Sequence, residues 1–204
     1  MSWLGMLYEG GWVMVPLALC SVLGLAIILE RFFSLKRSKI FPPDVLNLLS
    51  KVTNEKDLES LYTTCKYKTA PLPVLIRESL NVRNEPKEII LEHVQFVGRT
   101  QMTNMERGLA LLQIIAVVSP LLGLLGTVLG MVDIFNAVTK GGLGNPQMLA
   151  QGISKALITT VVGLIIAIPS LVAYHLYVRR VEELGMELQD ILLNFIARLK
   201  SIRN

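Results

Sequence analysis

The sequence is poor in charged residues, cysteine and histidine, and each shortage excludes a class of protein. Only 18% of the 204 residues are charged, where about 25% is usual for soluble domains. Cys20 stands in an apolar run and Cys65 in a polar one, so we expect neither a disulfide framework nor a bound metal. The chain has two histidines and no P-loop, dinucleotide, zinc-protease or nucleophile-elbow motif. We therefore predict that it is not an enzyme and has no cofactor.

Apolar residues are abundant instead. They make up 52% of the chain and give a mean hydropathy of +0.52, which indicates a membrane protein that contacts the lipid bilayer. The formal net charge of +4 could suggest nucleic acid as a partner. The cations cluster beside the apolar runs, however, and no aromatic-basic recognition motif accompanies them. We attribute the excess charge to membrane topology and expect no nucleic-acid partner.

Three uncharged runs are long enough to cross the hydrocarbon core as helices. The predicted fold class is an all-α membrane protein with three transmembrane helices, in which the second and third helices have long cytoplasmic extensions. The predicted segments are a periplasmic interfacial segment (1–11), transmembrane helix 1 (12–30), a cytoplasmic helical domain (31–107), transmembrane helix 2 (108–138), a periplasmic turn (139–151), transmembrane helix 3 (152–178) and a cytoplasmic C-terminal helix (179–204).

The distribution of cations predicts the orientation. No Lys or Arg precedes the first run, whereas Arg31, Lys36 and Arg37 follow it closely. The third run ends at the pair 179–180, both arginines, and the turn between the second and third runs contains only one cation, Lys140. By the positive-inside rule, the N-terminus lies on the periplasmic side and the C-terminus in the cytoplasm.

Helical periodicity continues beyond the second and third runs. Apolar residues at helical spacing lead from Ile89 to Leu109 without a gap, so we predict one helix that begins in the cytoplasm and crosses the membrane. After the third run, an apolar stripe recurs at steps of three and four; it comprises Val181, Leu184, Leu188, Ile191, Phe195 and Leu199. This stripe must be buried against the polar domain or against a neighbouring subunit.

Small residues line one side of the second and third runs. The predicted helix-packing face comprises Ser119, Pro120, Gly123, Gly126 and Gly130 of the second run, and Ala156, Gly163 and Ala167 of the third. In lipid, small residues let helix backbones approach closely, and hydroxyl groups hydrogen-bond across the contact. Each face carries a threonine, Thr127 or Thr160, and we place the two at similar depth. They either line a narrow polar path or bond back to carbonyls of their own helices.

Ionisable residues near the spans are candidate charged modulators, because charge is costly inside a membrane. Asp133 follows the second run, and its alternative role is that of a boundary residue at the outer surface. Lys155 opens the third run, where its ammonium group can reach toward water. His175 lies near the cytoplasmic end of the third run, as a proton relay or as an interfacial residue.

Two segments resemble the characteristic helices of the MotA/TolQ/ExbB proton channel family, most nearly those of ExbB and TolQ. They are SPLLGLLGTVLGMVDIF (Ser119–Phe135) and GISKALITTVVGLIIAIPSLVAYH (Gly152–His175). The resemblance implies a bacterial inner-membrane protein that assembles as a pentameric ring, whose inner wall is formed by the second and third spans. It further implies a central dimer of a single-span ExbD- or TolR-like partner that carries a proton-binding aspartate, and a further partner of the TonB or TolA kind.

The resemblance also implies roles for individual residues. Thr127 and Thr160 match the family's pore-facing threonines, which favours the polar-path interpretation of both. Lys155 departs from the family pattern, since many members carry a glutamate there. The lysine either pairs with an acidic partner or shows that the glutamate is dispensable in this branch.

The function that follows is that of an ExbB-like ring subunit, which uses the proton motive force with an ExbD-like partner to energise TonB-dependent outer-membrane transport. Alternatives are a TolQ-like subunit that serves envelope integrity or gliding, and a structural membrane scaffold whose glycine faces only pack its own helices. The sequence leaves open the load, the choice between proton and sodium, and the stoichiometry.

Overall fold

The computed structural model describes residues 11–141 and 146–203, without the side chains of residues 137, 138, 140, 141, 146–149, 151, 155, 201 and 203. In these residues every regular element is a helix. The helices are α1 (Met14–Ser34), α2 (Arg37–Ile40), α3 (Pro43–Lys51), α4 (Glu55–Cys65), α5 (Pro71–Asn81), α6 (Lys87–Glu106), α7 (Leu109–Gly141) and α8 (Pro146–Arg203). The all-α prediction is confirmed over the described residues.

The helices form two compact units. The first unit contains the described residues of Met1–Glu30 and Gly108–Leu176, and the second those of Arg31–Arg107 and Tyr177–Asn204. The segment predicted as a periplasmic N-terminal element, 1–11, lies outside the described residues except for Gly11.

Three helical stretches are long and apolar enough to cross a membrane, as the sequence predicts. They are Met14–Ser34 and stretches within Lys87–Asn136 and Gly152–Lys200. In the first unit these helices alternate in direction. Val13, Met14 and Leu17 at the start of α1 pack with Leu122 and Leu129 of α7 and with Val162 and Ile166 of α8. Gly24, further along α1, lies near Ile115 of α7 and Ser170 of α8, so α1 is antiparallel to α7 and parallel to α8.

The helix predicted to run unbroken into the second span is interrupted. Helix α6 ends at Glu106 and α7 begins at Leu109. Between them, Gly108 has a φ of +82°, a left-handed conformation that ends helices and that glycine adopts without strain. Apolar periodicity does not detect such a break, because the glycine changes the backbone without removing an apolar position. The third run and the tail, by contrast, form the single helix α8, with Pro169 inside it.

The buried guanidinium of Arg31 meets the end of α6 in the second unit. Its Nη1 donates to the carbonyl oxygen of Met105 at 3.1 Å. The last carbonyls of a helix lack intrahelical donors, and positive charge is favourable at that end. Arg31 thus satisfies a carbonyl in the last turn of α6, where the sequence alone predicts only a topological charge.

The second unit has a core of large aliphatic side chains. Successive helices α3 to α6 pack against one another, and Leu61, Leu72 and Ile76 are fully buried. The tail of α8 adds a buried stripe, which comprises Val181, Leu184, Leu188, Leu192, Phe195, Ile196 and Leu199. The stripe is therefore covered within this chain. One predicted member is replaced: Ile191 is half-buried and Leu192 is buried. Steps of three and of four both approximate the 3.6-residue period, so spacing alone does not choose between these two neighbours.

Ion pairs on the surface of the second unit connect segments that are distant in sequence. The guanidinium of Arg37 donates from Nε to Glu187 Oε1 at 3.0 Å, so the residues around α2 are tied to the tail of α8. The hydrogen bonds to Glu187, and after them its negative charge, raise the pKa of Arg37 above its ordinary value. Lys68 pairs with Asp44, and this bond to Lys68 lowers the pKa of the Asp44 carboxyl.

Candidate functional site

Helices α7 and α8 approach so closely in the first unit that only glycine fits at several positions. A Cβ atom on Gly163 would lie 2.6 Å from the backbone oxygen of Ser119. A Cβ atom on Gly123 would lie 2.9 Å from both the oxygen of Thr159 and the Cα of Thr160. These neighbours are backbone atoms, so the clash could be relieved only by moving a helix. The contact is therefore a backbone-to-backbone surface of the kind that small residues allow in membranes.

The contact continues along both helices with antiparallel register. Toward the end of α7, a Cβ atom on Gly130 would lie 3.0 Å from that of Ala156, and Gly152 meets the side chain of Ile134. Ala156 and Ala167 are both buried. The structure thus places Ser119, Gly123, Gly126 and Gly130 of α7 near α8, and Ala156 and Gly163 of α8 near α7.

Thr159 is a buried polar residue with acceptors on both helices of this contact. Its side chain is 1% exposed. Its Oγ1 donates to the carbonyl of Ala156 at 2.7 Å in its own helix and lies 3.1 Å from the carbonyl of Gly123 in α7. Gly126 leaves the space that this side chain occupies, since a Cβ there would lie 2.6 Å from the Cβ of Thr159.

Sequence reasoning missed Thr159, because it followed the face through Thr160 alone. The spacing from Ala156 to Thr159 and then to Gly163, at steps of three and four, fits the same helix face. Both neighbouring threonines reach the carbonyl of Gly123 in α7. The spacing is a signal that could have added Thr159 to the candidates beside Thr160.

Thr160 and Thr127, the predicted path residues, have different acceptors. The half-buried Thr160 donates from Oγ1 to the carbonyl of Gly123 at 3.3 Å, across the contact. Thr127, also half-buried, donates to the carbonyl of Leu124 in its own helix at 2.7 Å. The register pairs Gly126 with Thr159 and Gly123 with Thr160. Thr127 therefore lies two to four residues from the level of Thr160, roughly 3 to 6 Å along the helix axis.

Two further members of the predicted packing face, Ser119 and Pro120, lie within α7. Ser119 is fully buried, and its hydroxyl donates to the carbonyl of Ile115 at 2.7 Å. Pro120 lies inside α7 and is half-buried. Having no N–H group, it cannot bond the carbonyl of Ala116, and such a loss is tolerated in membrane helices where neighbouring groups compensate.

Two of the three candidate modulators, Asp133 and His175, have exposed side chains. Asp133 is exposed on α7. His175 is exposed on α8, with its ring 5.2 Å from that of the adjacent Tyr174 in an edge-on arrangement. The side chain of Lys155 lies outside the described residues. No group of three or more metal-ligating side chains occurs in the described part of the chain.

The outward faces of the spans are apolar. Leu121 and Leu124 of α7 are 58% and 57% exposed, and Ile168 of α8 is 59% exposed. Apolar side chains of this kind pack favourably against acyl chains or against other membrane helices. The described side chains at the α7–α8 contact itself carry hydroxyl or methyl groups, so they offer hydrogen bonds but no carboxyl or imidazole.

Comparison with known families identifies the family of the chain. Residues 68–190, which include all of α7 and the membrane part of α8, match the model of the MotA/TolQ/ExbB proton channel family. The chain belongs to the MotA/TolQ/ExbB family. It is a multi-pass membrane protein of that channel family, since membership and three apolar helices agree.

Three relatives illustrate the breadth of the family. The chain is 32% identical over 166 residues to the biopolymer transport protein exbB1 of Vibrio cholerae, a match that covers 79% of this chain and 72% of the relative. It is 30% identical over 182 residues to a protein named as an ExbB homolog in Methanothermobacter thermautotrophicus, covering 88% of this chain and 64% of the relative. It is 40% identical over 75 residues to the Tol-Pal system protein TolQ of Haemophilus influenzae, covering 37% and 33% of the two chains.

Proposed function

We propose that the chain is the ring subunit of a proton-driven motor in the bacterial inner membrane, with an ExbB-like role in energising TonB-dependent outer-membrane transport. Several copies, as a pentamer, would surround a dimer of a single-span ExbD- or TolR-like partner that carries a proton-binding aspartate. The ring subunit would not itself be an enzyme. Its part would be to line the path along which that aspartate exchanges protons.

The hydroxyl chemistry of the α7–α8 contact carries this proposal. Thr160 makes a cross-helix bond to Gly123 at 3.3 Å, longer than the 2.7 to 2.8 Å typical of hydroxyl donors. Such a bond is easily exchanged for one to an incoming carboxyl oxygen. Thr127 lies roughly 3 to 6 Å from that level along the helix axis, so two hydroxyls per subunit could meet one acid along the path.

Proton transfer along the proposed path requires an acidic group from outside the α7–α8 contact. Hydroxyl groups can stabilise a carboxylate or a carboxyl group but do not titrate at neutral pH. A unit charge that crosses the full membrane potential releases about 2.3 kcal/mol per 100 mV. A partner aspartate that binds and releases protons beside these threonines could therefore convert the proton motive force into motion of one component against another.

The proposed orientation places the N-terminus in the periplasm and the C-terminus in the cytoplasm. The alternating directions of α1, α7 and α8 in the first unit fit three successive crossings. The cations at positions 31, 36 and 37 after the first span favour a cytoplasmic location for the second unit.

A TolQ-like role in envelope integrity is the second candidate function. The match to TolQ of Haemophilus influenzae is 40% identical, although it covers only 37% of this chain. The same path chemistry serves either role. The two differ in the single-span protein that copurifies with the ring and in whether a TonB-like or a TolA-like protein joins it.

Proton flux in the reconstituted complex tests the proposal. The chain is coexpressed with its single-span partner, reconstituted into vesicles, and assayed with a pH-sensitive dye under an imposed potential. We expect the double variant Thr127→Val and Thr160→Val to conduct about tenfold less, because hydrogen bonds of roughly 1 kcal/mol or more are lost from the path.

Thr139→Val is the matched control for this assay. Thr139 is an exposed residue of α7 whose hydroxyl donates to the carbonyl of Asn136 in its own helix at 3.0 Å. This variant should conduct like the wild type. Unchanged flux in the double Thr127 and Thr160 variant would instead favour a scaffold whose glycine faces only pack its own helices.

A further inference from the structure

Two threonine hydroxyls compete for one carbonyl at the α7–α8 contact. The oxygen of Gly123 lies 3.1 Å from Oγ1 of Thr159 and 3.3 Å from Oγ1 of Thr160. Gly123 also lies inside α7, where its carbonyl accepts the N–H of Thr127 in the ordinary helical pattern. A carbonyl oxygen has two lone pairs, so it has room for only one of the two hydroxyl donors.

The hydroxyl of Thr159 has two acceptors within reach, whereas the described hydrogen bonds of the Thr160 hydroxyl include one, the carbonyl of Gly123. The Oγ1 of Thr159 also lies 2.7 Å from the carbonyl of Ala156. A hydroxyl has one hydrogen, which rotates about the C–O bond to suit its surroundings. Thr159 can therefore direct that hydrogen to Ala156 or to Gly123 without any movement of its heavy atoms.

The geometry points to Thr159 as a positioning residue that frees the hydroxyl of Thr160 for the proton path. While Thr160 bonds to Gly123, Thr159 donates to Ala156. When Thr160 turns to a carboxyl group in the path, Thr159 turns its hydrogen to Gly123. Ala156 then keeps only the helical N–H bond that its carbonyl receives from Thr160.

The exchange matters because the site is buried. Thr159 is 1% exposed, and no bulk water can replace the bond that Gly123 loses. A buried carbonyl that loses one of its donors costs free energy. With Thr159 as a substitute donor, Gly123 keeps two donors after Thr160 leaves, and Ala156 gives up its hydroxyl donor instead. The hydrogen of Thr159 then has two acceptors, where it had one while Thr160 was bonded to Gly123, and this added freedom favours the release of Thr160. No atom is transferred in this step; two hydroxyl hydrogens change acceptors.

Gly126 makes this arrangement possible. A Cβ there would lie 2.6 Å from Cβ and 2.8 Å from Cγ2 of Thr159. Any larger residue would displace the threonine from its position between the two carbonyls. Gly126 therefore leaves room for the side chain of Thr159 and also lets the two helices approach closely.

The inference rests on the proposed function, since it needs Thr160 to act in the proton path. The test measures proton flux of the reconstituted complex for Thr159→Ala, Thr159→Ser, Thr160→Val and the double variant Thr159→Ala with Thr160→Val. We expect Thr159→Ala to conduct about twofold less, because no second hydroxyl then competes with that of Thr160 for the carbonyl of Gly123. Thr159→Ser keeps the hydroxyl and should restore the flux.

The double variant separates positioning from mere packing. If Thr159 acts through Thr160, the double variant conducts no less than Thr160→Val alone, because the effects of coupled residues do not add. If the two losses multiply, Thr159 acts independently and the inference is overturned. Thermal unfolding of the same samples accompanies the assay. Should Thr159→Ala fail to assemble, Thr159→Val removes the hydroxyl with a side chain of similar size and decides the same question.

The outcomes also distinguish the inference from the proposed function. Unchanged flux in Thr160→Val would contradict the path role of Thr160 and, with it, the role of Thr159. Reduced flux in Thr160→Val together with unchanged flux in Thr159→Ala would leave the proposed function standing and overturn the inference alone.

Discussion

Each of the two units of the chain is stabilised internally, and the kind of packing differs between them. In the first unit, α7 and α8 touch through glycine and alanine, and large side chains such as Leu121 and Ile168 are exposed. In the second unit, large side chains such as Leu61 and Ile76 are fully buried, and charged groups such as Arg37 lie on the surface. The difference reflects the solvent that each sequence is suited to. In lipid, close packing and hydrogen bonds associate helices, whereas in water the burial of apolar surface does so.

The contrast predicts which substitutions each unit tolerates. Added volume should harm the first unit, whose helix contact has no space. Removed volume should harm the second unit, whose core is built from large aliphatic side chains. The first two predictions below test this contrast, beginning with the largest expected effect, and the third concerns the charged surface of the second unit.

Removal of a core side chain from the second unit should have the largest effect. Ile76 is fully buried, so Ile76→Ala should destabilise the second unit by about 2–5 kcal/mol through lost burial and a cavity. Hydrogen–deuterium exchange of the full-length chain in detergent measures this as faster exchange of the amides in α4 and α5.

Ile168→Ala is the matched variant in the first unit, because the same atoms are removed from a side chain that is 59% exposed. We expect little change in the exchange of α7 and α8. Equal losses in the two variants would contradict the claim that the units are stabilised differently.

Added volume in the first unit should have the next largest effect. A Cβ on Gly163 would lie 2.6 Å from the oxygen of Ser119, so Gly163→Ala should separate α7 from α8. Overpacking of this kind typically costs about 1–3 kcal/mol. Thermal unfolding of the purified full-length chain would show a lower transition temperature.

Gly98→Ala is the control for added volume. In α6 of the second unit, a Cβ on Gly98 would meet only Leu75 Cδ2 at 3.9 Å, an ordinary contact. Since alanine is the better helix former by up to about 1 kcal/mol, this variant should be neutral or stabilising. A Gly163→Ala protein as stable as Gly98→Ala would show that the α7–α8 contact is looser than described.

The smallest effect concerns a surface carboxylate of the second unit and depends on pH. Asp57 Oδ2 accepts the backbone N–H groups of Thr53 at 2.9 Å and Asn54 at 3.1 Å. These bonds lower the pKa of the Asp57 carboxyl below its ordinary value. Because the pKa falls on folding, the stabilisation is complete above the ordinary aspartate pKa of about 4 and is lost as the pH falls through the lowered value.

Asp57→Ala should therefore destabilise the start of α4 at neutral pH and have no effect in strong acid. Local hydrogen exchange of α4 across a pH series measures the difference between the variant and the wild type. Glu59→Ala, at an exposed position of the same helix, should show no such pH dependence. A constant difference at all pH values would mean that the carboxylate charge is not involved.

Much of the fold follows from residue patterns. Uncharged runs predict the three spans, and small residues such as Gly123 and Gly163 predict a close helix contact, because membrane spanning and backbone approach depend on composition and spacing alone. The break at Gly108 was not predicted, because a left-handed glycine leaves no trace in apolar periodicity. Predictions for the domain boundaries relative to the membrane and for the roles of Thr127, Thr160, Asp133, Lys155 and His175 stay predictions.

Thr159 shows where sequence reasoning about the site reached its limit. Two adjacent threonines can each occupy the edge of one helix face, and spacing alone does not tell which hydroxyl is enclosed. The distinction depends on which carbonyl of the neighbouring helix lies opposite, and that is a property of the register between α7 and α8. Register is decided by backbone contacts such as Gly163 with Ser119, which involve both helices at once.

The central claim is that α7 and α8 present hydroxyl groups to an acid on a neighbouring chain. The most direct test is an electron cryomicroscopy structure of the chain coexpressed with its single-span partner in a lipid environment. The account predicts several copies around a central axis, with Thr127 and Thr160 facing the partner helix at the level of its membrane aspartate. A lone subunit, or a ring in which both threonines face acyl chains, would contradict it.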